Sequence, residues 1–468
     1  MKFISNVLFI LLFSSIYFLS AQNRITSEEN LFIDEAPKSS KVISQKKIKD
    51  FDAIEWKLAN GITVFLKPTK FDNGKINFMA YSPGGTSTIA DSDYIAGITA
   101  DNLVLQSTPG SFNQDSFKKA LKGKLINLKI FITEISSGMN GVSSTNDLQT
   151  LLELIYAYFT KPKIDSSVFL AQKQKLENVL KERLTNPAAA FQDSLSSILS
   201  NHNMRKQPWT LDVLNKMNSE KSLSVFKKLF SNPSNFIFTF VGDFNPVKIK
   251  PMVEKYIGGL RTFSGKSVWK DLNIEQPTGV IKKEIYKGEE SAVKVGIVFT
   301  GPIDWNLQNV FELGALRDYL DKKLSRIMKI GKFSPYRLYI GNYAQKFPKE
   351  KYSFSITFDW EPLKIDSLSN EVFQEIDKVK NNIIDDSIFT SIKLSEKKNF
   401  ENNLKSNDYW VTTLFQYSFL NIKPSDFLKE KDRIDKLSKT TLAEAAKKYL
   451  NEKNYVEVIL LPEKKNNN

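Results

Sequence analysis

Apolar and polar residues alternate from Trp56 to Phe65, and the alternation breaks once, at Asn60-Gly61. Asn-Gly between two alternating runs predicts a β-hairpin, because both residues tolerate the positive φ of a tight turn. A third strand is expected over about 75–82, ended by Pro83-Gly84-Gly85. The period then changes. Leu148, Leu151, Leu152, Ile155 and Phe159 recur at the spacing of one helical face, and Ser144 with Asp147 ahead of them has the form of a capping box. Further helical patterns cover about 165–184 and 186–200. The run Asn235–Val241 is mostly Phe and aliphatic residues and reads as a buried strand closed by Gly242-Asp243. In the second half, Leu307–Leu324 reads as a helix, and about 333–343 and 352–360 as aromatic-rich strands whose side chains are mostly core.

The pattern repeats. Ser222–Phe240 aligns with Thr441–Ile459 at an offset of 219: Leu223 meets Leu442, Lys228 meets Lys447, Asn232 meets Asn451 and Asn235 meets Asn454. Each stretch is a helix, a short turn and an apolar strand. Phe78–Gly84 and Val295–Gly301 are likewise apolar strands closed by glycine. A period this long excludes a solenoid and predicts two tandem copies of one α+β fold, each a mostly antiparallel sheet covered by helices. The expected organisation is a leader or linker at 22–50, a first domain at 51–260, a linker at 261–279, a second domain at 280–463 and a disordered tail at 464–468.

The first 21 residues differ from the rest. Lys2, an apolar stretch from Val7 to Leu19 and the small pair Ser20-Ala21 form the pattern of a secretory signal peptide, so the mature chain is expected in the periplasm or outside the cell. No later segment is apolar enough to span a bilayer. The 468 residues contain no Cys and one His, His202. That excludes disulfides, thiolate metal sites, Cys nucleophiles and any metal site needing two histidines within the chain. The net charge is +14, but only eight of the 66 basic residues are Arg, and the lysines are interleaved with acids. This describes a solvated surface and no nucleic-acid partner. Gly259 to Ser267 imitates a phosphate loop, but it has five residues between its glycines where the motif needs four. Asp385-Asp386 reads as helix N-terminal charge.

Four motifs, in order, resemble the insulinase-type (pitrilysin-like) zinc peptidase family. They are Leu58-Ala59-Asn60-Gly61-Ile62-Thr63-Val64, Tyr81-Ser82-Pro83-Gly84-Gly85, Phe240-Val241-Gly242-Asp243-Phe244 and Lys255-Tyr256-Ile257-Gly258-Gly259-Leu260. The resemblance spans nearly all of residues 50–465 and implies half of a clamshell of four related domains. Active members carry His-x-x-Glu-His on the helix after the second motif, where two histidines bind zinc and the glutamate is the general base. The matching stretch here is Gly97-Ile98-Thr99-Ala100-Asp101, so Gly97, Ala100 and Asp101 stand where His, Glu and His are expected. Glu177 or Glu182 matches the downstream carboxylate ligand. The non-catalytic half of such a peptidase contributes an Arg and, seven residues on, a Tyr that hold substrate. Lys329 and Tyr336 match these positions, Ile330 replaces the usual Glu, and Arg326 lies one helical turn before Lys329.

The resemblance therefore implies a chain with no catalytic residues and no zinc of its own. Its expected partners are a homologous subunit bearing His-x-x-Glu-His and a peptide or unfolded protein substrate, added as a strand to a sheet edge. The alternative is a stand-alone protein of the same fold that binds peptides or scaffolds an assembly without proteolysis.

Overall fold

In a computed structural model the described residues are 32–33, 35–289, 293–330, 337–360 and 365–463. The signal-peptide pattern, Tyr336 and the tail lie outside them. The stretch 22–50 was expected to be leader, yet it contributes strand β1 (Val42–Ile48), which pairs antiparallel with β2 (Ala53–Leu58). Its polar, lysine-rich face hides the strand from a pattern search, because five of its seven residues are exposed. The expected hairpin joins β2 to β3 (Thr63–Pro68), and Gly61 takes φ +86° in its turn. β4 (Lys75–Pro83) follows. Next come α1 (Tyr94–Gln106), α2 (Gln114–Leu121), β5 (Ile126–Ile132), β6 (Ser136–Ser144), α3 (Leu148–Thr160), α4 (Ser166–Thr185) and α5 (Pro187–Leu199). The first domain ends with α6 (Leu211–Asn215), α7 (Ser219–Phe230), β7 (Ile237–Gly242) and α8 (Pro246–Tyr256).

The second domain repeats this plan. It comprises β8 (Val280–Tyr286), β9 (Val293–Pro302), α9 (Leu307–Ile330), β10 (Leu338–Gln345), β11 (Lys351–Trp360) and α10 (Ile365–Lys380). It closes with α11 (Asp386–Asn403), α12 (Asn407–Phe419), α13 (Pro424–Leu428), α14 (Glu430–Lys436), α15 (Lys439–Tyr449) and β12 (Tyr455–Leu461). The first sheet runs β1-β2-β3-β7-β4-β6-β5, the second β10-β11-β9-β12-β8. All pairings are antiparallel except β3 with β7 and β8 with β12, which occupy equivalent places. β5 and β10 are the equivalent edges.

Each sheet buries one face under its own helices. The other face is covered by a helix from the other domain. Phe191, Leu195 and Ile198 of α5 pack on Val298, Val456, Val458 and Leu460 of the second sheet. Gly296 makes room, since a Cβ there would lie 2.7 Å from the Phe191 ring. Reciprocally, Trp410, Val411 and Leu414 of α12 pack on Phe65 and Val241 of the first sheet. Apolar faces left open by either domain are thus closed mutually, which couples the two. The chain from 261 to 279 forms neither helix nor strand and touches both domains. The Lys270 amide donates to Ser87 Oγ (3.0 Å) and the Gln276 side chain to the Tyr352 carbonyl (3.0 Å).

Candidate functional site

The Pro83-Gly84-Gly85 turn carries the chain from β4 into α1. The turn is hydrogen-bonded to the β5–β6 loop: the amides of Gly84, Thr86 and Ser87 donate to the carbonyls of Ile135, Thr133 and Glu134, each at 2.8 Å. Gly85 sits at φ +58°, and a Cβ there would lie 2.2 Å from the Thr133 oxygen, so only glycine fits. The turn is clamped from behind by Arg205, which is 8% exposed. Its guanidinium donates to the carbonyls of Thr86 (2.8 Å) and Ile89 (2.6 Å) and to Asp91 Oδ1 (2.7 Å), and it lies 4.9 Å from the centre of the Tyr94 ring. Five donors in a fixed fork suit this task. A lone Arg in a polar turn carries no pattern that marks it in the sequence.

The structure places Gly97, Ala100 and Asp101 together on α1. Gly97 and Ala100 are buried. A Cβ at Gly97 would meet Thr86 Cγ2 at 3.3 Å, with Ile89 and Val225 of α7 just beyond. Thr99 Oγ1 and Ser222 Oγ of α7 are 3.0 Å apart. Small residues thus let α1 press against α7, and the space that a ligating side chain at position 97 requires is filled. Asp101 is tied elsewhere. Its Oδ2 accepts the Ile132 amide at 3.2 Å, and burial raises its pKa above the ordinary carboxylate value. One carboxylate and no imidazole is a donor set that does not fit zinc. Glu177 on α4 pairs with Lys181 at 2.6 Å. Among the described residues no three His, Asp or Glu side chains cluster as metal ligands.

The Ile132 bond has a meaning for the sheet. Leu125 and Ser144 form a hydrogen-bonded pair, as do Thr133 and Ser136, so the even residues of β5 turn their amides to the free edge. Asp101 therefore covers the last outward donor of that edge. On β10 the Asp359 amide donates to the Arg337 carbonyl, so Leu338, Ile340, Asn342 and Ala344 point their main-chain groups outward. Among the described residues none of these has a backbone partner. β1 and β8, the opposite edges, carry Lys46, Lys47, Lys282 and Lys283. β10 has no charged residue and exposes Tyr339 (66%) and Tyr343 (58%). Lysine on an edge strand opposes added strands, and its absence leaves a template.

Arg326 lies near the end of α9, in the other domain from Gly97. It is exposed and contacts Asp385 Oδ2 at 3.4 Å and Ser387 Oγ at 3.3 Å. Asp385 caps α11 by accepting the amides of Ser387 and Ile388. The hydroxyl of Ser387 and the Ile388 amide, with Arg326 adding to them, hold its carboxyl below the usual range. Lys329 belongs to the last turn of α9. The match of Tyr336 to the substrate-holding position falls outside the described residues. The expected N-terminal charge of Asp385-Asp386 is thus a true cap.

Residues 216–395 match the family model described as the peptidase M16 inactive domain. A curated Arabidopsis thaliana protein named zinc protease PQQL-like is 21% identical over 469 residues, covering 93% of this chain and 46% of that protein. The chain spans less than half the length of the curated relatives it matches. The crystal structure of the periplasmic protease PqqL from Escherichia coli superposes with a TM-score of 0.79 at 17% identity, over 92% of this chain and 48% of that one. A peptidase M16 inactive domain from Pseudomonas fluorescens does so with a TM-score of 0.69 at 14% identity, over 88% and 98%. The insulinase-type resemblance and the tandem α+β fold drawn from the motifs agree with these matches.

Proposed function

We infer, from a chain that carries the M16 inactive domain and has the fold of an M16 peptidase half, that it serves as the non-catalytic half of an exported metallopeptidase. It encloses and positions an extended peptide for a homologous partner bearing His-x-x-Glu-His, and zinc belongs to that partner. The observation that carries this reading is the state of α1. The positions of the zinc motif hold a packed glycine, a buried alanine and an aspartate bonded to β5. The helix that would hold metal is built into the protein as structure. Export is supported by the signal-peptide pattern at residues 1–21 and by the periplasmic relative. Among the described residues no helix is long and apolar enough to cross a membrane.

The test begins with purification of the native exported protein and mass spectrometry of what accompanies it. A one-to-one companion with His-x-x-Glu-His, and no stoichiometric zinc in the isolated chain, is expected. One tightly bound zinc per isolated chain overturns the reading. In the reconstituted pair, Tyr336→Phe removes a hydroxyl able to donate to a developing oxyanion and should lower kcat with little change in Tm. Unchanged kinetics remove Tyr336 from the site.

A second reading, a peptide-capturing protein that acts without a partner, is favoured by the uncharged open edge of β10. A main-chain strand added there gains affinity independently of any catalytic centre. Recovery of the chain without a companion, together with peptide binding, selects it.

A further inference from the structure

α1 stops at Gln106, before Ser107-Thr108-Pro109-Gly110, and the chain turns back into the short α2. Between the end of α1 and α2 lies a shallow groove of about 490 Å³. Its floor is Leu105, Phe117 and Leu121. Below, Phe117 is anchored on the buried Phe32, with ring centres 5.4 Å apart, so the floor is held from inside. Gln114 donates to the Gln106 carbonyl at 2.9 Å and ties the two helices together across the groove. Lys118, Lys119 and Lys122 line it and no carboxylate does. Among the described residues none of these three lysines has an ion-pair partner. In the second domain the equivalent helix, α9, runs on unbroken for 24 residues.

We propose that this groove docks an acidic segment of a protein partner, with two or three apolar side chains on the Leu105–Phe117–Leu121 floor and carboxylates on the lysine rim. The occupant is chosen by complementarity. Apolar surface left open beside a row of unpaired cations is best covered by apolar residues flanked by anions. The lysine row on one side and the Gln106–Gln114 tie on the other confine the floor to a short segment. The proposal is independent of whether the chain has a catalytic partner.

The test uses the full mature chain and a fluorescein-labelled twelve-residue peptide of Asp, Glu, Leu and Phe. Its controls are the same peptide with Lys replacing each acid, and vesicles containing phosphatidylglycerol. The variant Lys118→Glu/Lys119→Glu/Lys122→Glu should weaken acidic-peptide binding by tenfold or more. Lys397→Glu/Lys398→Glu/Lys431→Glu, which changes the net charge equally on exposed positions elsewhere, should change it less than twofold. Circular dichroism and Tm check that both variants fold, and Lys→Gln replacements at 118, 119 and 122 repeat the measurement with a milder change. Equal loss in both triple variants shows general charge attraction and overturns the proposal. So does equal binding of the Lys-containing peptide, or binding to vesicles with none to the peptide.

Discussion

The two domains share one plan and diverge at one helix. In the first, α1 ends after 13 residues, and a Cβ at Gly97 in its first turn would meet Thr86 Cγ2 at 3.3 Å. In the second, α9 runs for 24 residues, and Gly314, at nearly the equivalent place, has nothing within 4 Å of where a Cβ would stand. The edges differ in the same sense. Asp101 of α1 takes an outward amide of β5, whereas the outward groups of β10 have no backbone partner among the described residues. The difference teaches that one topology can tie this helix to the sheet edge in one copy and leave it untied in the other. Asp101 makes that tie, at the Ile132 amide.

The comparison breaks most severely where the domains cover each other. Phe191→Ala empties a fully buried site on the second sheet and should cost about 3–5 kcal/mol. Leu414→Ala on α12 should cost about 2–5 kcal/mol at the first sheet. If the mutual covering couples the domains, each variant keeps a single thermal transition by calorimetry. Two separated transitions would show that the domains melt independently. Arg205→Leu strands the Ile89 carbonyl and leaves the Thr86 carbonyl only the Ile89 amide, and should cost about 1–3 kcal/mol, read by urea denaturation. Its effect should be confined to the first domain if hydrogen exchange reports the Gly84–Ile89 turn opening first.

The two glycines sharpen the contrast on a smaller scale. Gly97→Leu should destabilise by about 1–3 kcal/mol through overpacking against Thr86 and Val225. Gly314→Ala should stabilise by about 0.5–1 kcal/mol, because it adds a helix former where space is free. Equal signs would remove the distinction drawn between α1 and α9. The smallest effect is a pH dependence at the α9–α11 contact. Burial, and next the Asp318 carboxylate beside it, push Glu396 up to about 7. A carboxyl raised on folding favours the folded state below its unfolded value near 4.5, and that advantage is lost as pH rises through the folded value. Relative to Glu396→Gln, the wild-type Tm should therefore fall between pH 5 and pH 8 by about a degree or two. Parallel Tm profiles for the two proteins would remove Glu396 from that contact.

Much of the architecture was readable because it rests on local rules. Asn60-Gly61 placed the first hairpin, Asp385-Asp386 marked a helix start by its charge, and the offset of 219 between Leu223 and Leu442 announced a repeated unit. The aromatic strands were placed as well, with Tyr352, Phe354 and Phe358 buried as core. Tyr339 and Tyr343 were not separable from them by pattern, since alternation does not tell which face of an edge strand stays uncovered. At the candidate site, the identities at positions 97, 100 and 101 were enough to discount a zinc motif. The bond from Ile132 to Asp101 and the Arg205 clamp were not readable, because their partners are 31 and 119 residues apart with no periodicity between them.

The sequence by itself determined the chemistry that this chain lacks and the two-copy plan. One histidine and no cysteine bound the available ligands, and hydrophobic periodicity acts over a few residues, so it survives in the linear chain. Only the tertiary structure decided that α5 and α12 cross to cover each other's sheets, that β1 joins from the supposed leader, and that Asp101 takes the Ile132 amide at the β5 edge. These follow from which apolar faces meet and which main-chain groups find partners. The two crossings are settled between segments more than a hundred residues apart and the β1 and Asp101 contacts between nearer ones, in each case where burial and hydrogen-bond satisfaction act on the folded whole.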